Sequence, residues 1–292
     1  MSIDSHIRGD TRIVYLLGYP VAHSISPQIH NHAFRTMGLP YAYIPLAIPP
    51  GSFHSAVYAL RAGNFAGANI TIPHKIQASY YCDRISDLSR LTGTVNTLYL
   101  DNGLLHGTTT DPEGFKRAVK WMGCELCGSD VVILGNGGVA RTLAIALAID
   151  KEINALSIIG RNLNKVSLLA KEVSAVSGFS VSAYSFDDER LTDTMKECTL
   201  LVNCTSAGMH PSVETTPIDS KYFHKEMVVF DTIYNPSRTR LLDEAKAAGC
   251  RIQNGLRMLL YQGLASFKLW TGYEVNEDIF DISELENMVC KK

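Results

Sequence analysis

Leu134-Gly135-Asn136-Gly137-Gly138-Val139-Ala140 is the stretch best suited to handling phosphate. It follows the apolar run Val131-Val132-Ile133-Leu134 and leads into Thr142-Leu143-Ala144-Ile145-Ala146-Leu147. As strand, tight turn and helix it fits G-x-G-x-x-A, with Gly135, Gly137 and Ala140 at the small positions. These residues allow a sharp turn, close backbone approach to a pyrophosphate, and tight packing of helix on strand. The helix N-terminus offers free N–H groups to the phosphates. The next strand, Ala155–Ile159, runs into Gly160-Arg161-Asn162-Leu163-Asn164-Lys165. A site for NAD usually ends this strand with a carboxylate that binds the ribose 2′-OH. Here Arg161 stands there instead, with Asn162 and Lys165 in support. A guanidinium binds a 2′-phosphate through two parallel charge-assisted bonds, so the predicted cofactor is NADP.

The elements that must position this loop follow from length and pattern. At 292 residues the chain is long enough for two domains. Strand-like runs at Arg12–Leu17, Tyr41–Ile48, Ala68–Ile72 and Asn96–Leu100 alternate with helical stretches Pro27–Met37 and Ser52–Ala62. Ser26 is expected to cap the first of these helices, with Pro27 at its first position and Gly38 stopping it. After the glycine loop come strands at Ala155–Ile159, Ser180–Ala183, Thr199–Cys204, Met227–Asp231 and Arg251–Gln253, with helices Leu163–Ser177 and Arg238–Ala248 between them. Six strands with helical crossovers predict a doubly wound parallel sheet. The expected division is residues 1–111, completed by 255–292, and residues 112–254. The last helix, Leu256–Trp270, carries apolar residues on one face and is expected to pack back on the first domain.

Hydrophobic content of 46% and charged content of 19% describe an ordinary soluble globular chain, and the formal net charge is −2. With no Lys/Arg block, a nucleic-acid or anionic-membrane partner is not expected. No apolar run approaches the roughly 18 residues of a membrane span. Met1–His6 shows no secretion signal, so cytoplasm is the default. The seven cysteines are odd in number and irregular in spacing, which argues against a disulfide framework. Cys124 and Cys127 form a lone C-x-x-C with no second pair to hold zinc. His30 and His32 lie two apart on a predicted helix and face differently, so no metal site is expected.

Several further motifs occur in order. Gly18-Tyr19-Pro20-Val21-Ala22-His23-Ser24-Ile25-Ser26-Pro27 resembles the N-terminal signature of the shikimate dehydrogenase family. Asn69-Ile70-Thr71-Ile72-Pro73-His74-Lys75 resembles its N-[VI]-T-x-P-x-K motif, Gly93–Thr97 its G-A-x-N-T, and Gly107–Gly114 its G-x-N-T-D-x-x-G. Asn203–Met209 resembles N-x-T-x-x-G-M, Asp231–Pro236 D-x-x-Y-x-P, and Asn254–Gln262 the closing helix. The resemblance runs from Ile7 to Gly272. It implies a substrate-binding α/β domain beside a Rossmann-like NADP domain, and the reversible NADPH-dependent reduction of 3-dehydroshikimate to shikimate. By the same resemblance Ser24 and Ser26 bind the substrate carboxylate. Thr71, Asn96, Asp111 and Gln262 meet ring hydroxyls with Tyr234 nearby, and Lys75 is the acid/base. Asp87, Gly135, Asn136, Gly137, Gly138, Val139, Gly160, Arg161, Asn162, Lys165, Thr232 and Gly255 fall at cofactor positions. The chain departs from the family at Thr109, Asn136, Gly160 and Thr94.

The chemistry is sound on its own terms. Ketone reduction needs a proton donor at oxygen, and an ammonium at Lys75 stabilises developing alkoxide charge before releasing its proton. Asp111, expected to end a strand-like segment, would hold the amine and accept a substrate hydroxyl; Asp before Pro112 is equally a good helix start. Quinate or dual quinate/shikimate activity stays open, because one added hydroxyl gives only modest discrimination. A non-catalytic metabolite or dinucleotide sensor on the same fold also stays open, and a homodimer is compatible with the sequence.

Overall fold

The computed structural model describes residues 7–63 and 65–290, with the side chain of Cys290 excluded; Met1–His6 therefore lie outside the described residues. The chain divides into two compact units, residues 1–110 with 260–292, and residues 111–259. The sequence reading placed these boundaries after 111 and 254.

The first unit starts with β1 (Arg12–Gly18), α1 (Ser26–Thr36), β2 (Tyr41–Ala47), α2 (Phe53–Arg61) and β3 (Phe65–Ile70). There follow β4 (Arg84–Ile85), α3 (Asp87–Thr92), β5 (Thr97–Asp101) and β6 (Leu104–Thr108). The strands form one mixed sheet in the order β2-β1-β3-β5-β6-β4. β1 pairs parallel with β2 and β3, and β5 runs antiparallel to β3 and β6. The sequence reading missed β4 and β6. β5 and β6 form a hairpin over Asn102-Gly103, both at positive φ (50° and 79°), the backbone that the tightest two-residue hairpin turn demands. The turn signal was there, but the alternation in β6 is too short to stand out. Leu17, Phe53, Val57, Ile70, Leu98 and Leu105 fill a common core.

The start of α1 also differs from the reading. The helix begins at Ser26 itself with Ile25 as its N-cap, and that cap makes no side-chain bond. The Oγ of Ser24 instead accepts the Ser26 N–H at 3.2 Å, leaving the Ser26 hydroxyl for other partners.

The second unit contains α4 (Asp111–Trp121), β7 (Asp130–Leu134), α5 (Gly138–Asp150), β8 (Ala155–Ile159), α6 (Leu163–Ser177) and β9 (Val181–Tyr184). It continues with α7 (Leu191–Glu197), β10 (Leu200–Asn203), β11 (Val228–Asp231), α8 (Arg240–Ala247) and β12 (Arg251–Gln253). Asp111 thus opens a helix and does not end a strand; β6 stops at Thr108, and Pro112 suits a first helical turn. All six strands pair parallel in the order β12-β11-β10-β7-β8-β9. Strands covered on both faces need continuous apolar runs. Val131–Leu134 and Leu200–Val202 supply them, at 2% exposure or less. Strand order reverses between β7 and β10, the place where open α/β sheets bind ligands beyond their carboxyl ends.

The chain returns through α9 (Leu256–Thr271) and ends in α10 (Ile282–Cys290). In the first unit Phe267 stacks on Phe34 at 4.9 Å, and the Trp270 indole N–H donates to the Leu98 carbonyl at 2.9 Å. The predicted return of the C-terminal helix to this unit is what the structure shows. No helix among the described residues is long and apolar enough to cross a membrane.

Candidate functional site

The glycine loop leaves β7 and enters α5 at the switch point of the second unit. Gly135 has φ +105°, and a Cβ there would press on Thr205 and the Cys204 backbone at 3.0–3.3 Å. Only glycine takes this turn without strain. Asn136 is exposed and avoids positive φ, so this departure from the family costs no strain. Gly137 caps α5 without a side-chain bond, and open space lies over Gly137 and Gly138. A 13-residue helix with no side-chain bond at its N-cap and an open glycine cradle fits a pyrophosphate. Val139 is half-buried in the first turn.

Gly160 ends β8. A Cβ at this position would lie 2.8 Å from Val166 Cγ1. A side chain there would require Val166 of α6 to shift. Asn162 caps α6 by accepting the Lys165 N–H at 3.1 Å. Arg161 and Lys165 stay exposed, and among the described residues the Arg161 guanidinium has no ion-pair or hydrogen-bond partner. A guanidinium held this way is available to a phosphate dianion.

On the other side of the switch point β10 and β11 end in a polar cluster. Asn203 donates through Nδ2 to Asp231 Oδ1 at 3.0 Å and accepts from the N–H and hydroxyl of Thr205. Asp231 also accepts from the Ile233 N–H at 3.0 Å and the Thr239 hydroxyl at 2.6 Å. Both Asn203 and Asp231 are fully buried. Burial pushes the Asp231 carboxyl from 3.8 up to about 6, against the opposing pull of these donors. The cluster fixes the chain just before Thr232, whose hydroxyl donates to the Asn203 carbonyl at 2.8 Å, and before Tyr234. Burial raises the pKa of Tyr234. The Gly255 N–H donates to the Ile233 carbonyl at 3.0 Å, tying the start of α9 to the same loop.

Among the expected substrate residues of the first unit, Thr71 follows β3 and Asn96 precedes β5. Gly18 closes β1; a Cβ there would lie 2.2 Å from Thr71 Cγ2, so glycine lets the Thr71 segment cross close over it. The Thr71 N–H donates to the Leu17 carbonyl at 2.9 Å. Lys75 is half-buried in the turn that follows, its carbonyl accepting the Val95 N–H at 2.8 Å. That bond ties the lysine turn to the residue before Asn96. Asn96 is 2% exposed and hydrogen-bonds to Gln262 of α9 at 3.3 Å. Ser24 lines a cavity of about 480 Å³ with Val21, Pro27, Gln28 and Pro45; the other expected substrate residues do not. Asp87, expected at the cofactor, is an exposed residue of α3 in this unit, 3.9 Å from Arg90. Asp111 is buried at the first position of α4.

Other residues had been passed over. Asn69, Thr97, Thr110 and Ser266 form a buried polar cluster around Asn96 and Gln262. Ser266 lies four residues after Gln262, so the two share a helix face; that spacing was the available signal. Thr109 is also buried, and its hydroxyl makes no hydrogen bond. The asparagine that the family places here could bond in ways that Thr109 does not. His30 is buried among Phe34, Tyr43, Phe267 and Trp270, and burial lowers its pKa to about 3. It is a neutral packing group, as expected for a core histidine. Among the described residues no three His, Cys, Asp or Glu side chains gather to hold a metal ion.

A family model for the shikimate dehydrogenase substrate binding domain matches residues 16–98, and one for the shikimate 5'-dehydrogenase C-terminal domain matches residues 255–280. A shikimate dehydrogenase (NADP(+)) from Methanothermobacter thermautotrophicus is 38% identical over 276 residues, covering 94% of this chain and 96% of its own. The structure of shikimate 5-dehydrogenase from Listeria monocytogenes in complex with shikimate and NAD is similar with a TM-score of 0.89 and 32% identity, covering 97% of this chain and 99% of that one. Quinate dehydrogenase from Corynebacterium glutamicum in complex with NAD is similar with a TM-score of 0.81 and 27% identity, covering 95% and 98%.

Proposed function

Because the chain belongs to the shikimate dehydrogenase family, we propose that it catalyses the reversible NADPH-dependent reduction of 3-dehydroshikimate to shikimate, a step toward chorismate and the aromatic amino acids. The observation that carries the NADP assignment is the end of β8: an unpartnered Arg161, with no carboxylate, beside an open glycine cradle. The second unit is the cofactor domain in this reading, using Gly135, Asn136, Gly137, Gly138, Val139, Gly160, Arg161, Asn162, Lys165, Thr232 and Gly255. The first unit is the substrate domain.

NADPH, when bound, supplies the hydride to the ketone carbon. Lys75 donates a proton to the ketone oxygen as it gains negative charge, and takes it back in the reverse direction. Ser24 and Ser26 donate to the substrate carboxylate; the bond from the Ser26 N–H to Ser24 Oγ supports this, since it holds the two serines side by side. Thr71, Asn96 and Gln262 hold ring hydroxyls. Asp111 accepts one in the same reading. Asp87, exposed on α3 and paired with Arg90, has less structural support as a cofactor contact than the other residues. The six described cysteines are free thiols, which supports the cytoplasmic reading.

The test is absorbance at the reduced-nicotinamide band with shikimate and quinate, each against NADP and NAD. Turnover of shikimate with NADP above all other pairs is the expected result. Preference for quinate with NAD would replace this reading by the quinate one, and ligand binding without turnover would favour the sensor.

A further inference from the structure

The buried hydroxyls behind Asn96 and Gln262 do more than fill space. We propose that Thr97, Thr110 and Ser266 are positioning residues that lock the Asn96 and Gln262 amides in one orientation, so that Gln262 meets a substrate hydroxyl as a donor, through Nε2. This rests on the reading that the first unit holds shikimate.

The orientation follows from backbone groups whose roles are not interchangeable. The Thr110 N–H can only donate, and it points at one end of the Asn96 amide at 2.9 Å. That end is therefore Oδ1. The other end is Nδ2, and it donates to Thr110 Oγ1 at 3.0 Å and to the Gln262 amide at 3.3 Å. The Gln262 atom facing it must accept, so it is Oε1. The Nε2 of Gln262 then faces the other way.

The same reasoning fixes the supporting layer. The Asn96 carbonyl can only accept, so the Asn69 atom 3.3 Å from it is Nδ2. Asn69 Oδ1 then accepts from the Tyr43 hydroxyl at 2.9 Å. Burial raises the Tyr43 pKa far above its ordinary value, so this phenol stays a donor. Ser266 accepts from Asn69 Nδ2 at 3.0 Å and shares its one proton between Thr97 Oγ1 at 2.7 Å and the Gln262 backbone carbonyl at 3.0 Å. Thr97 joins the two layers, at 2.7 Å from Ser266 and 2.8 Å from Asn96 Oδ1. Thr97 and Ser266 are fully buried; Thr97 bonds the Asn96 side chain directly, and Ser266 reaches it through Thr97 and Thr110. A buried network anchored on backbone groups holds its members more rigidly than one with unpaired groups.

Thr97→Val keeps the shape and removes the hydroxyl; Thr97→Ser keeps the hydroxyl. With the intact protein, Thr97→Val is expected to raise KM for shikimate roughly tenfold, the scale of one hydrogen bond, and to leave KM for NADP within about twofold. Thr97→Ser should stay within about threefold of wild type. In nitrogen-resolved proton spectra, the Gln262 side-chain NH₂ signal, identified by its loss in Gln262→Glu, should shift as shikimate is added. Equal losses in the two Thr97 variants would overturn the proposal, as would an unchanged Thr97→Val or an unmoved Gln262 signal. Should Thr97→Val fail to fold, Ser266→Ala gives the same readout with the same expectation. A wild-type protein that does not turn over shikimate at all would instead overturn the functional reading.

Discussion

The two units each bury a polar cluster at strand ends, and the clusters are built on different principles. The cluster in the first unit is neutral: three amides and three hydroxyls, from Asn69, Asn96, Gln262, Thr97, Thr110 and Ser266. The cluster in the second unit is built around an ionisable group, Asp231, held by Asn203, Ile233 and Thr239. A neutral network holds its geometry at any ordinary pH. A buried carboxylate short of cationic partners couples its geometry to protonation. Ring hydroxyls need fixed donors and acceptors, which amides and hydroxyls supply. Asp231 serves a loop, tying the end of β11 to the turn that carries Thr232 and Tyr234.

The contrast can be broken at several points. The largest expected effect is from Lys75→Ala, which should cut kcat by roughly 10²-fold or more, the scale of general acid–base catalysis, with a smaller change in KM. Steady-state kinetics with near-normal turnover would remove the chemistry from the first unit. Next is Arg161→Ala. A lost charge-assisted pair costs about 1.5–3 kcal/mol, or roughly tenfold to hundredfold in KM for NADPH. KM for NADH should stay within about twofold, and equal effects on both cofactors would sink the selector role.

Stability against pH separates the clusters directly. The Asp231 carboxyl rises from 3.8 to about 6 on folding. Its stabilisation is therefore complete below about pH 4 and lost as pH rises through 6, a change on the order of 2–3 kcal/mol. Denaturant melts at pH 4, 5, 6 and 7 should show wild type losing stability relative to Asp231→Asn across that window. A constant difference would mean the carboxyl is not perturbed as described. The smallest effect is the counterpart in the first unit. Thr97→Val removes no titrating group, so its stability offset from wild type should not change over the same pH range. A slope there would show that the two clusters are not of different kinds.

The strand–loop–helix at Gly135 and the parallel strands of the second unit were legible because each depends on local pattern. Apolar runs of strand length, small residues at fixed spacing and capping amides such as Asn162 act within a few residues of themselves. The short strands β4 and β6 were not legible. Their residues earn strand geometry by pairing with each other and with β5, and two to five residues carry too little alternation to show it. The cap of α1 was placed one residue late, because serine is a good capping residue by type and only the backbone angles put Ile25 at the cap and Ser26 inside the helix.

Among the site residues, sequence alone determined types and order: a lysine after Thr71 and Pro73, a carboxylate before Pro112, an arginine where an acid would select NAD. Side-chain chemistry is intrinsic to each residue, so those statements need no fold. Tertiary structure alone decided that Thr97 of β5 and Ser266 of α9, 169 residues apart, would share one hydrogen bond. It also decided that Asp231 would be buried with no cationic partner among the described residues. Both outcomes depend on which distant segments exclude water from a given point, and no local pattern encodes that.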